Sequence, residues 1–220
     1  VLAAGASTFT EQPPLPAVPA ELAVITQQLW QGRSLLNNAF TLENLQAERR
    51  RQSFQIVHLA THGEFQAGAL NNSYIQLWNG KLQLDQLRQL GWNDPPVELL
   101  VLSACQTALG SDEAELGFAG FALQAGVKSA LASLWNISDE GTLAFMTEFY
   151  QQLRTAPIKA EALRRTQLAM VQGEVSIQGG QLRSSRGATL ALPPELEATG
   201  DRTLSHPFYW AAFTLIGSPW

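Results

Sequence analysis

The chain has 220 residues, with fourteen Lys and Arg against nineteen Asp and Glu, a formal net charge of -5, and 45% hydrophobic and 15% charged residues. That length supports one sizeable core without staples, and the composition is that of an ordinary globular protein. An acidic total excludes the basic platform that a nucleic-acid binder normally presents. The single cysteine cannot form an internal disulfide, so a reducing, cytoplasmic setting is the simplest reading. No apolar run reaches the roughly 18 residues that span a bilayer, so no membrane partner is expected. The opening VLAAGAS has neither a basic leader nor an initiator Met. It reads as a strand entered midway and not as a secretion signal. The expectation is one domain over 1–220, the C-terminal part of a longer protein.

In chain order, residues 1–6 suit a buried strand and 13–19 a proline-rich loop. Leu22, Ile25 and Leu29 have helical spacing within 21–30, and 33–36 suits a short strand. Residues 41–51 open on Thr41 as a capped helix. The run FQIVHLA at 54–60 is a strand, and Asn79-Gly80 joins a small hairpin. A helix at 84–90 is stopped by Gly91, and ELLVL at 98–102 is the most apolar strand candidate. Residues 116–125 pattern as a helix closed by Gly126, 128–134 as a strand, and 139–153 and 158–171 as helices. The Gly-, Ser- and Pro-rich stretch 173–202 reads as a long surface loop or lid, and 209–216 as a closing strand. Strands alternating with helices imply an α/β fold, a mainly parallel sheet covered on both faces.

Two segments share a design. HLATHGEF carries a strand into Thr61, His62 and Gly63, and LVLSACQTALG carries another into Ser103, Ala104 and Cys105. Each sets a reactive side chain just past a buried strand, where open parallel sheets build their sites. A thiol with its ordinary pKa is only a few per cent thiolate at neutral pH, so it needs an imidazole to stabilise the anion or take the proton. A glycine beside the histidine lets a backbone N–H face the reacting carbonyl. Gly63 and Cys105 are therefore the candidate oxyanion donors, each typically worth about 3 kcal/mol.

HLATHGEF, SACQTALG, ELGFAGFALQAGVKSALASLW and HPFYWAAFTLIGSPW together resemble the CHAT domain over essentially the whole chain. This is a caspase-like cysteine peptidase family related to separases and metacaspases, and its bacterial members are often joined to tetratricopeptide repeats. The resemblance implies a caspase-like three-layer sandwich and a His–Cys dyad, carried over onto His62 and Cys105, with no third carboxylate and no cofactor or metal. It implies cleavage of peptide bonds in protein or peptide substrates, with control by regulatory regions or a partner outside this chain. Many relatives have acidic primary pockets that take Arg or Lys. The segment WNISDEGT sits where such pockets are built, which makes Trp135 and Asp139 substrate-binding candidates. Metacaspases carry Asp two residues before the nucleophile. Here that position is Ser103, a third substrate-binding candidate, and the departure weakens the case for a strongly basic preference.

Each of these residues also has a purely structural reading. A lone Cys after a strand is more often core than catalyst, and Asp139 and Glu140 at a helix start are accounted for by capping. Trp135 can fill core, and Ser103 can bond its own backbone. His58, four residues before His62, lacks further ligands at metal spacing and reads as a satisfied strand residue. His206, before Pro207, reads as structural, Glu64 as a solvated loop charge, and Asp112, Glu113 and Glu115 as a solvated loop. The competing function is a catalytically silent interaction or scaffold module on the same fold. The G-x-S-x-G, GxGxxG and P-loop patterns of hydrolases and nucleotide binders are absent.

Overall fold

Residues 1–64, 73–103, 117–197 and 200–220 are described by a computed structural model of the protein. β1 (Leu2–Gly5) is buried throughout and leads through the proline-rich loop into α1 (Val18–Ala23), which runs on as a π-helical segment, Val24–Leu29. β2 (Arg33–Leu36) is followed by α2 (Leu42–Arg51), whose first turn is closed by Thr41 Oγ1 accepting the Asn44 N–H, the cap legible in the sequence. β3 (Ile56–Ala60) is buried at all five positions and is followed by β4 (Gly63–Glu64). β5 (Tyr74–Leu77) and β6 (Gly80–Gln83) form the hairpin. The helix expected at 84–90 is wound as a 3₁₀ helix and ends at Gly91 in the left-handed conformation. β7 (Leu99–Leu102), α3 (Gly117–Gln124), β8 (Ser129–Ser133), α4 (Asp139–Leu153) and α5 (Lys159–Val171) follow in turn.

The long loop expected over 173–202 is instead largely ordered structure. β9 (Ser176–Gln178), β10 (Gln181–Arg183), β11 (Thr189–Ala191) and β12 (Arg202–Thr203) form an antiparallel sheet, with α6 (Pro194–Glu197) between the last two. Gly179 and Gly180 both have positive φ, the two-residue hairpin turn that glycine permits. Ile177 and Leu182 are buried beneath it with Met170 and Leu143. Short strands in a polar, Gly-rich background carry too few apolar residues to show a period.

The central sheet has six strands in the order β13-β8-β7-β3-β1-β2, where β13 (Phe213–Gly217) is the closing strand and pairs antiparallel to β8. The other pairings are parallel. Alternate residues serve opposite faces. Ile56, Leu99, Val101 and Leu131 pack with Ile25, Phe145 and Phe149, while Val57, Leu59, Leu100 and Leu102 pack with Leu45, Leu87 and Ala119. Each fully buried side chain of this size contributes about 1.5–3 kcal/mol relative to exposure.

The topology decides where the site is. From β1 the chain passes through α1 to β2 on one side, then returns through α2 to place β3 on the other side of β1. The carboxyl ends of β1 and β3 are therefore the topological switch point of the sheet, where open α/β sheets place their sites. Gly5 makes the close approach of the two strands possible, because a Cβ there would collide with the Ala60 carbonyl and with Val18.

Candidate active site at the carboxyl edge of the sheet

β3 and β7 are parallel neighbours in a register that runs from Ile56↔Leu99 to Leu59↔Leu102, an offset of 43 residues. Ser103 continues it, donating its N–H to Leu59 O at 2.9 Å. The separation from His62 to Cys105 is also 43 residues. β3 and β7 thus run side by side to the same edge of the sheet, where neighbouring strands lie about 4.8 Å apart. Cys105 itself lies outside the described residues, as do Ala104 and the Asp112, Glu113 and Glu115 cluster.

His62 is half-buried, two residues past the end of β3. Thr61, fully buried, turns the chain there by donating its hydroxyl to Gln76 O at 2.7 Å, and the Gln76 N–H donates to His62 O at 2.8 Å. His62 and Gln76 are therefore a hydrogen-bonding pair, and the next pair, Gly63↔Ile75, is of the other kind. The Gly63 N–H consequently points away from β5. The His62 ring is held from the β1–α1 loop, with Nε2 2.8 Å from Pro13 O and the Phe9 ring edge-on at 4.6 Å between centroids. A carbonyl can only accept, so in the neutral ring this contact places the proton on Nε2 and the lone pair on Nδ1. Burial pushes the imidazole below its ordinary pKa, partly offset by the Pro13 bond. A neutral ring with one fixed tautomer is the state a general base requires.

Residues 8–12 and the β5–β6 hairpin enclose an open cleft of about 770 Å³ that His62 does not itself line but meets through Phe9 and Gln76. Phe9, Tyr74 and Trp78 supply its aromatic walls and Gln76, Glu11 and Lys81 its polar groups, with Lys81 Nζ 3.9 Å above the Tyr74 ring. Trp135, Asp139 and Ser103 do not line it. Trp135 donates its indole N–H to Phe208 O at 3.1 Å. Ser103 is buried, and its hydroxyl finds no partner among the described residues. The Asp139 Oδ2 accepts the Ala17 N–H at 2.7 Å, and Ser138, not Asp139, caps α4 by accepting from Gly141 N. Glu140 is buried and paired with Arg202. The Glu64 side chain is half-buried and partnered.

His58 is sealed from solvent, with Nε2 2.9 Å from Glu21 Oε1 on α1 and Nδ1 3.2 Å from the Tyr150 hydroxyl on α4. His206 accepts from the Phe208 N–H at the turn before β13. Among the described residues no group of three or more His, Cys, Asp or Glu is placed to hold a metal ion. Sequence reasoning missed Pro13 and Glu21. Both act through contacts with residues remote in the chain, and a backbone carbonyl carries no side-chain signature.

None of the curated proteins compared with the chain matches it. A family model described as the CHAT domain matches residues 1–218. With its six-stranded, mainly parallel sheet between helical layers, the chain belongs to the CHAT-domain family, which is related to the caspase-like cysteine peptidases.

Proposed function

We propose that this CHAT domain is a cysteine endopeptidase in which Cys105 is the nucleophile and His62 its base. The observation that carries the reading is the match between the β3–β7 register and the spacing of the two motifs. His62 supports it as a ring held in one tautomer by the Pro13 carbonyl, so that the third member of the catalytic set is a backbone acceptor. In the first step the thiol proton passes to His62 Nδ1 as sulfur bonds to the scissile carbonyl carbon. The oxyanion forms opposite the Gly63 and Cys105 N–H groups. The C–N bond then breaks, and the amine leaves with the proton from His62. Water, deprotonated by the same nitrogen, hydrolyses the thioester and restores the thiol.

The substrate is an extended protein segment, for which the aromatic and amide-lined cleft beside His62 offers stacking and hydrogen bonds. Cleavage after Arg or Lys is the form of this reading in which Asp139 also serves the primary pocket. Control rests with regulatory regions or a partner outside this chain, in a cytoplasmic setting.

Turnover of a fluorogenic peptide panel by wild type, Cys105→Ala and His62→Ala tests the proposal. Activity in wild type and losses of at least about 10³-fold in both variants are expected. Equal turnover by all three ends it. A folded wild type with no turnover, and a thiol inert to iodoacetamide at neutral pH, would instead favour the silent scaffold reading.

A further inference from the structure

The loop between β1 and α1 is tied down at both ends by side chains that come from elsewhere in the chain. At its entry, Asn37 Oδ1 accepts from the Ser7 N–H at 2.8 Å and from the Ser7 hydroxyl at 3.2 Å. Asn37 has φ 51, a left-handed conformation that Asn tolerates better than most residues. At its exit, Asp139 Oδ2 accepts the N–H of Ala17, the residue that opens α1. Leu15 N–H closes the loop on Ser7 O at 2.9 Å, the closed-neck form of an Ω-loop. Between these ties lies Pro13-Pro14. Proline fixes its own φ and confines the residue before it to extended conformations, so the Pro13 carbonyl has little freedom once the ends are held.

Asp139 is free for this task because Ser138 caps α4. The anchoring oxygen lies at the start of α1, where a helix leaves its first N–H groups without an intrahelical acceptor. Its charged neighbours are Glu21 on α1 and Glu140, itself paired with Arg202.

We infer that Asn37 and Asp139 are positioning residues for His62: together they pin the loop that presents the Pro13 carbonyl to the imidazole. The inference rests on the proposed role of His62 as base. Neither residue touches the ring, so both act through the loop. Releasing either end lets the carbonyl drift and water reach Nε2, and misplacement of about 1 Å costs on the order of 10²-fold in rate.

The test has two arms on the full 220-residue chain. In the first, ¹⁵N NMR of the histidine rings in a Cys105→Ala background reads the His62 tautomer, its titration and the exchange of its Nε2 proton. Asn37→Gly keeps the left-handed backbone but removes the acceptor, and Asp139→Ala removes the other anchor. Both should speed exchange and move the titration up towards that of an ordinary imidazole. Asn37→Asp and Asp139→Asn keep an oxygen acceptor and should restore the wild-type signature. In the second arm, the two anchor-free variants should lose about 10- to 100-fold in kcat with KM changed less than about threefold.

Unchanged His62 signals in both Asn37→Gly and Asp139→Ala overturn the inference. So does a loss confined to KM for Arg and Lys substrates in Asp139→Ala, which would make Asp139 a pocket residue. Because the NMR arm needs no turnover, a wild type without peptidase activity counts against the proposed function while this inference is still decided.

Discussion

Glu21 Oε1 and His58 Nε2 meet at 2.9 Å with both side chains sealed from solvent, joining α1 to β3. The Tyr150 hydroxyl closes the group on Nδ1, and burial, with the charge of Glu21, pushes its phenol well above the ordinary value. The two ring nitrogens thus face Glu21 and Tyr150, at 2.9 and 3.2 Å. A buried pair of this kind is weak evidence for stability in itself, but breaking it strands one partner. Glu21→Ala should destabilise the domain by about 3–5 kcal/mol, whereas Glu21→Leu with His58→Leu should recover most of the loss. Urea unfolding at pH 7 checks both, and equal costs for the single and the double variant would refute the coupling.

Stability should also depend on pH through Asp139. Burial, followed by the charges of Glu21 and Glu140, raises its carboxyl from 3.8 to about 7, against the opposing Ala17 hydrogen bond. Between those values the folded chain holds a proton that the unfolded chain releases, so stability falls as pH rises through this window. Asp139→Asn keeps an acceptor and removes the titration. Its free energy of unfolding should match wild type near pH 4 and exceed it at pH 8 by an amount on the order of 2–4 kcal/mol, read by urea unfolding. A difference independent of pH contradicts this assignment.

His62 titrates in the opposite sense. Its folded pKa lies below 6.5 because burial disfavours the cation, so the folded state binds fewer protons than the unfolded chain and loses stability as pH falls through that range. The same shift keeps the base neutral further into acid. The acid limb of kcat/KM should therefore titrate below 6.5, and an acid limb above that value is the contrary result.

Gly5 ties packing to the site. Gly5→Ala forces β1 away from Ala60 and from Val18 on α1, and overpacking of this kind costs about 1–3 kcal/mol. The Pro13 loop starts directly after this position, so kcat should fall along with Tm. A stability loss without a change in kcat would separate the strand contact from the site.

Much of this molecule is written in local pattern. The β-branched, apolar runs at 54–60 and 98–102 became β3 and β7 because such segments are stable only between two helical layers. Thr41 opened α2 and Gly91 ended the 3₁₀ helix for reasons of hydrogen bonding and backbone conformation that act within one turn. The antiparallel sheet at 176–203 escaped notice, although Gly179-Gly180 was its signal, because its strands of two or three residues are too short for a period to emerge.

By itself, then, the amino-acid sequence determined the alternation of strands and helices, the family motifs, and the placing of His62 and Cys105 each just beyond a buried strand. Only the tertiary structure decided which strands are neighbours, that 43 residues of sequence equal one step across the sheet, and that a proline carbonyl 49 residues away meets the imidazole. The reason is physical. Periodicity records which side of an element is buried, whereas contacts between remote segments follow from the order in which strands pack, and no local residue preference encodes that order.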